Sequence, residues 1–143
     1  MTNTKLNFNR LKNEKSLYLR QHLTNPIHWW AYGPEALETA RSENKPIFLS
    51  IGYSSCHWCH VMAHDSFNNE VVAKLLNDNF VCIKVDREEY PDLDNYYQKA
   101  AQLFSNNGGW PLSAFLLPDM RPFFVGTFSP QYLKTEDQAS PTY

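Results

Sequence analysis

The sequence predicts an α/β domain, a mixed sheet flanked by helices, on three observations. Two short apolar runs, 47–51 and 80–85, are rich in β-branched and aromatic residues and lack polar alternation, as do strands covered on both faces. The segment between them is long enough for the helical crossover that parallel neighbours require. Two further apolar stretches, 113–117 and 123–128, are joined only by Pro118-Asp119-Met120-Arg121, a linker suited to an antiparallel hairpin.

Residues 1–33 show no sustained period. Leu17 and Leu19 flank Tyr18, Asn25-Pro26 follows, and the segment reads as an irregular arm that packs on the domain. The core, 34–128, opens with Pro34 at a first helical position, and Ala36, Leu37 and Ala40 form a stripe that ends by Asn44 before Pro46 blocks continuation. After the first strand, Gly52 to Ser55 make a turn, and a helix is predicted from Cys56 to about His64. A second helical stretch follows Asn68-Asn69, with Val71, Val72, Leu75 and Leu76 on one face. Pro91 opens a long helix whose apolar positions are Leu93, Tyr96, Tyr97, Ala100, Ala101 and Phe104, broken by Asn106-Asn107-Gly108-Gly109. Residues 129–143 show no amphipathic period and read as an irregular tail.

A chain of 143 residues suits one domain, and 43% apolar with 15% aromatic residues suits a bulky core rather than disorder. A formal charge of −2, without a Lys/Arg cluster, argues against nucleic acid or an anionic membrane as partner. No apolar run is long enough to span a bilayer, and Met1 to Lys15 lacks the apolar segment of a signal peptide, so a cytoplasmic location is expected. Three cysteines are too few for a stapled secreted scaffold, and two of them lie three apart, so chemistry is the better reason for that pair.

The order β-α-β-α-β-β, with a cysteine pair opening the first helix of the crossover, matches a thioredoxin-type core that lacks its closing C-terminal helix. In Cys56-His57-Trp58-Cys59 the first thiol is the expected nucleophile: a helix start favours its thiolate and should bring its pKa into the range of roughly 3.5 to 7.5. Cys59, one turn inside, is the resolving thiol. A protonated His57 would favour the thiolate further and make the couple more oxidising than plain thioredoxin. Trp58 shields or presents the disulfide, or simply packs. His60 and His64 share a helix face, where a hydrogen-bonded or solvent-facing role outweighs a metal pair.

Gly109-Trp110-Pro111 precedes the third strand where thioredoxin-like domains place a cis-proline beside the cysteines. An X-Pro bond gives up only about 0.5 to 1 kcal/mol to be cis. Pro111 is therefore read as catalytic support, and Trp110, Pro111 and Tyr53 as substrate contacts. Asp86, Arg87 and Glu88 follow the second buried strand at the sheet edge where ligands gather, as a candidate proton relay or charged rim. Thioredoxins keep a buried Asp six residues before the first cysteine. Ser50 stands there, so a relay must come from elsewhere. The expected partners are protein or small-molecule thiols and disulfides with a recycling reductase, and no cofactor or metal is expected.

Cys56-His57-Trp58-Cys59-His60-Val61-Met62 resembles the N-terminal domain of the spermatogenesis-associated protein 20 family. So do Ser16-Leu17-Tyr18-Leu19 with His22 and Asn25-Pro26, Lys45-Pro46-Ile47 with Ser50-Ile51-Gly52-Tyr53, Val85-Asp86-Arg87-Glu88-Glu89, and Gly108-Gly109-Trp110-Pro111-Leu112. The chain departs at Ala63 and Asp65, where glutamates are usual, at Tyr90, where arginine is common, and at 126–130. The resemblance implies that the domain is a piece of a longer architecture, followed by a helical part like the (α/α)6 barrels of sugar-active enzymes.

Two rival readings concern the same motif. Cys56-His57-Trp58-Cys59-His60 also satisfies the c-type haem attachment pattern, though directly after a buried strand and without an export signal. A metal-binding or partner-docking module would use Cys56, Cys59 and a histidine. A structural zinc site wants four ligands, however, and every histidine precedes residue 65.

Overall fold

The structure, a computed structural model, describes residues 9–128. The two apolar runs form β2 (Ile47–Gly52) and β3 (Val81–Asp86), adjacent and parallel, with Ile47 opposite Val81 and Gly52 opposite Asp86. All six residues of each are buried, which accounts for their lack of alternation. The hairpin forms as β4 (Leu112–Leu116) and β5 (Pro122–Thr127), each starting one residue earlier than expected, and β4 lies antiparallel to β2. An unexpected strand, β1 (Trp29–Ala31), pairs in parallel with β3, so the five-stranded order is β1-β3-β2-β4-β5.

Strand pleating divides the core between two faces. Ile47, Leu49, Ile51, Ile83 and Val85 point to one side, against α2 (Pro34–Glu43) and α5 (Pro91–Ser105). Phe48 and Cys82 point to the other, against the arm, α3 (His57–Met62) and α4 (Glu70–Asn79). The arm does pack on the domain: Leu11, Tyr18, Leu19, Ile27 and Trp29 are all buried there, and α1 (Leu17–Arg20) is a single helical turn capped by Ser16. On this face an apolar groove, lined by Phe48, Met62, Val72, Phe115, Phe124 and Phe128, runs between α4 and the hairpin. The expected tail, 129–143, and the first eight residues of the arm lie outside the described residues.

Two helix faces differ from expectation. On α4 the buried positions are Ala73 and Leu76, while Val71 and Leu75 stand exposed at 78% and 61%. The reason lies just before it: the helix begun at His57 widens at Ala63–Phe67 into a π-helical turn that drives Phe67 into the core and resets the angle at which α4 starts. On α5, Tyr97, Ala100 and Ala101 face the sheet, and Tyr96 and Phe104 face outward.

Asn69 caps α4, its Oδ1 accepting from the Val71 and Val72 backbone N–H groups at 2.8 and 3.1 Å. Asn69→Ala is expected to lower stability by about 1 kcal/mol in urea unfolding, with the fold retained.

Candidate functional site

β2 ends at Gly52, and the chain turns through Tyr53–Ser55 before α3 begins. Cys56 is the cap residue of α3, and its Sγ accepts the Cys59 backbone N–H at 3.2 Å. Cys56 and Cys59 are joined by a disulfide, with their Cα atoms 5.3 Å apart. Both are buried, Cys56 at 3% and Cys59 at 2% exposure.

Gly52 makes this closeness possible. A Cβ there would fall on the Tyr18 hydroxyl and 2.6 Å from Cys59 Sγ, so the hydroxyl and the sulfur lie side by side across a position that only glycine can fill. The Arg87 N–H donates to the Gly52 carbonyl at 2.9 Å, tying the ends of β2 and β3 together beneath the cysteines.

The rim has a tightly bonded side. The Trp110–Pro111 bond is cis, and Pro111 is buried at the head of β4. The Trp110 ring meets Tyr53 edge-on at 5.8 Å and carries the Arg87 guanidinium 4.6 Å above its face. Buried Asp94, on α5, holds both: its Oδ1 accepts from Trp110 Nε1 at 2.9 Å and its Oδ2 from Arg87 Nε at 3.2 Å. Gln98 completes the bracket by donating to Asp94 and to the Gly109 carbonyl while accepting the Gly109 N–H at 2.9 Å. Asp94 and Gln98 were not among the expected site residues. Their helical spacing is visible, but which helix face meets the proline loop is a matter of tertiary packing.

His57 and Trp58 are exposed and pack against each other, ring centres 4.6 Å apart. His60 is exposed with Nε2 2.8 Å from the Ser54 carbonyl, and His64 pairs with Asp65. Among the described residues no group of three or more His, Cys, Asp or Glu is arranged to hold a metal ion.

Asp86, which ends β3, and the two residues after it separate in role. Arg87 joins the rim, and Glu88 is exposed. Asp86 turns toward the arm, accepting from Ser16 Oγ at 2.7 Å and from the Glu88 N–H at 2.9 Å. Behind the disulfide, Lys84 and Ser50 face each other across β3 and β2, fully buried, Lys84 Nζ donating to Ser50 Oγ at 2.8 Å. A lysine inside the run Phe80–Val85 was the available signal for this pair.

The fold and this disulfide define a thioredoxin-like module with a Cys-x-x-Cys disulfide at a helix start. Over about four-fifths of its length the chain superposes on the DsbH oxidoreductase (TM-score 0.59, 21% identity, 79% of this chain, 83% of that one). It also superposes on a Thermus thermophilus thioredoxin (TM-score 0.57, 23% identity, 79% and 86%). The chain belongs to the thioredoxin-like DsbH family, described as a protein of unknown function, DUF255, which it matches over residues 8–141.

Relatives are closer in sequence. The chain is 59% identical to the uncharacterized protein B0495.5 of Caenorhabditis elegans and 54% identical to human spermatogenesis-associated protein 20, over 122 residues in each case. The mouse protein of the same name is 55% identical. These matches bear out the resemblance read from the motifs. They take in 85% of this chain but only 15% to 17% of each relative, so the chain spans about one-sixth of their length. No helix among the described residues is long and apolar enough to cross a membrane.

Proposed function

We propose that this domain performs thiol–disulfide exchange at Cys56 and Cys59. The observation that carries the reading is the disulfide itself, closed at a helix start with the Cys59 N–H directed at Cys56 Sγ. In the reduced domain the same N–H would stabilise a Cys56 thiolate. That thiolate attacks a substrate disulfide, forming a Cys56–substrate bond and releasing the first substrate thiolate. Cys59 loses its proton, attacks Cys56 Sγ and releases the second, so two electrons pass to the substrate and the domain is left oxidised. Protein or small-molecule disulfides are the substrates, and a separate dithiol reductase returns the domain to its reduced form.

The rim gives each remaining residue a part. Trp110, Pro111 and Tyr53 form the side against which an extended substrate lies, held by Asp94, and Arg87 sets a cation there that favours acidic or carboxylate-bearing partners. Trp58 covers the opposite side, and His57, next to Cys56, biases the couple toward the oxidising end. The longer relatives suggest that the domain serves a larger protein in its native setting.

Redox titration of the Cys56–Cys59 couple tests the reading. The expected midpoint lies within the span of exchange-active couples, about −270 to −120 mV, and on the oxidising side of thioredoxin. His57→Ala is expected to move it toward the reducing end. A potential below about −300 mV, beyond the reach of glutathione buffers, would mark a structural disulfide and overturn the proposal.

A further inference from the structure

We infer that Lys84, acting through Ser50 and Tyr18, accepts the proton that Cys59 releases when it resolves a mixed disulfide. The inference rests on the exchange reading above and supplies the relay that the serine at position 50 leaves open.

The geometry is a buried polar chain in an otherwise apolar face. Ser50 and Lys84 are register partners on β2 and β3, two residues before Gly52 and Asp86, and pleating points all four to the side where the cysteines pack. Lys84 Nζ meets Ser50 Oγ at 2.8 Å, and the Tyr18 ring lies 5.1 Å from the same nitrogen. The Tyr18 hydroxyl is buried, has the Ser50 hydroxyl as its hydrogen-bonding neighbour, and shares with Cys59 Sγ the space over Gly52. When the disulfide opens, the Cys59 thiol is freed beside this hydroxyl.

The ionisable neighbours fit a base rather than a resident cation. Those about Lys84 are Tyr18 and His22 from the arm, with Asp86 two residues on along β3; His60, which reaches His22, is exposed. Both Asp86 oxygens are engaged, by Ser16 and by the Glu88 N–H, and no carboxylate pairs with Lys84 among the described residues. Burial alone holds the Lys84 amine well below the ordinary lysine range, toward its neutral, proton-accepting form. Burial, reinforced by the Asp86 charge, pushes the Tyr18 hydroxyl far up, so Tyr18 passes a proton without keeping the charge, and Ser50 is the neighbour that eases its ionisation. Once protonated, Lys84 is met by the faces of Phe67, Trp29 and Tyr18 at 4.4, 4.7 and 5.1 Å.

The step balances. Cys59–SH gives its proton to Tyr18 Oη, which gives its own to Ser50 Oγ, which gives its own to Lys84 Nζ. The Cys59 thiolate then forms the bond to Cys56 Sγ, and the bond from Cys56 Sγ to the substrate sulfur breaks with both electrons leaving on the substrate thiolate. The Lys84 proton returns to solvent when the domain next opens. Lys84 acts through its neighbours and never touches the reacting sulfur, so it is a positioning residue for the proton.

A symmetric aromatic disulfide separates the steps, releasing one coloured thiolate on attack by Cys56 and a second on resolution by Cys59. In rapid mixing near neutral pH, Lys84→Met is expected to slow the second release by about tenfold and to shift its pH profile upward. Tyr18→Phe and Ser50→Ala, which change little volume, should move the profile the same way, and they carry the test if Lys84→Met fails to fold. In Cys56→Ser protein, ultraviolet absorbance of the Cys59 thiolate should emerge at higher pH when Lys84 is Met. A second release with the parent's rate and pH profile in the variants overturns the relay and leaves exchange standing. No release of either thiolate by the parent overturns the exchange reading itself.

Discussion

Cys56→Ser is expected to abolish reduction of a disulfide by the reduced domain, and Cys59→Ser to stall the reaction as a stable mixed disulfide seen by mass spectrometry as one added substrate thiol. The two cysteines are unequal because their surroundings are. Cys56 caps α3 and receives a backbone N–H, which favours a thiolate there, whereas Cys59 lies inside the first turn against Gly52 and Tyr18. No third thiol can substitute. Cys82 is 1% exposed, its thiol is pushed up to about 12 by burial, and its sulfur faces the Leu76 carbonyl at 3.7 Å. Reduction by Cys56→Ser at the parent's rate would end the exchange reading. If the phenotypes were reversed, with Cys56→Ser forming the adduct, attack would belong to Cys59 and the substrate would approach from the Tyr18 side.

What could be read beforehand follows how local its cause is. β2 and β3 are legible because strands buried on both faces leave a continuous apolar signature, and the crossover between them fixes parallel pairing through chain length. The place of Cys56-His57-Trp58-Cys59 after β2, and of Trp110-Pro111 before β4, followed from that order. β1 was not legible: three residues, Trp29 to Ala31, pair only at the sheet edge, and no periodic signal survives in so short a strand. The buried side of α4 was set by the π-helical turn at Ala63–Phe67, which no spacing rule anticipates. Asp94 looked like one of two acids in the first turn of α5, beside Asp92, and became the anchor of Trp110 and Arg87 only when the helix met the proline loop. Lys84 was conspicuous by residue type, yet its partners Ser50, Tyr18 and Trp29 come from three separate stretches of chain.

Acidification should unlock the arm through His22. The ring is 3% exposed and packs edge-on against Tyr18, Trp29 and Phe67 at 4.9, 6.5 and 6.2 Å. Its Nδ1 lies 2.9 Å from Asn25 Oδ1, an oxygen that also accepts the Trp29 indole N–H, while Asn25 Nδ2 donates to Asn68. Asn25 can therefore only accept from His22, and Nδ1 carries the proton of the neutral ring. A second proton must go to Nε2, among aromatic rings and with Lys84 nearby. Burial first, then the charge that Lys84 takes up in acid, lower the His22 pKa to about 2 from the ordinary 6.5. A histidine depressed in this way binds more protons unfolded than folded, so its contribution is present above the unfolded pKa and is lost as pH falls through 6.5 toward 2. The slope is about 1.4 kcal/mol per pH unit once the unfolded histidine is charged, which amounts to about 2.5 kcal/mol between pH 6 and pH 4. Urea unfolding across that range should show the parent losing this much more stability than His22→Gln, because Lys84 and the carboxylates are common to both proteins. Parallel pH curves for the two would mean that the His22 pocket opens to water before the domain unfolds. The difference expected here instead makes the arm part of the same cooperative unit as the sheet that holds the cysteines.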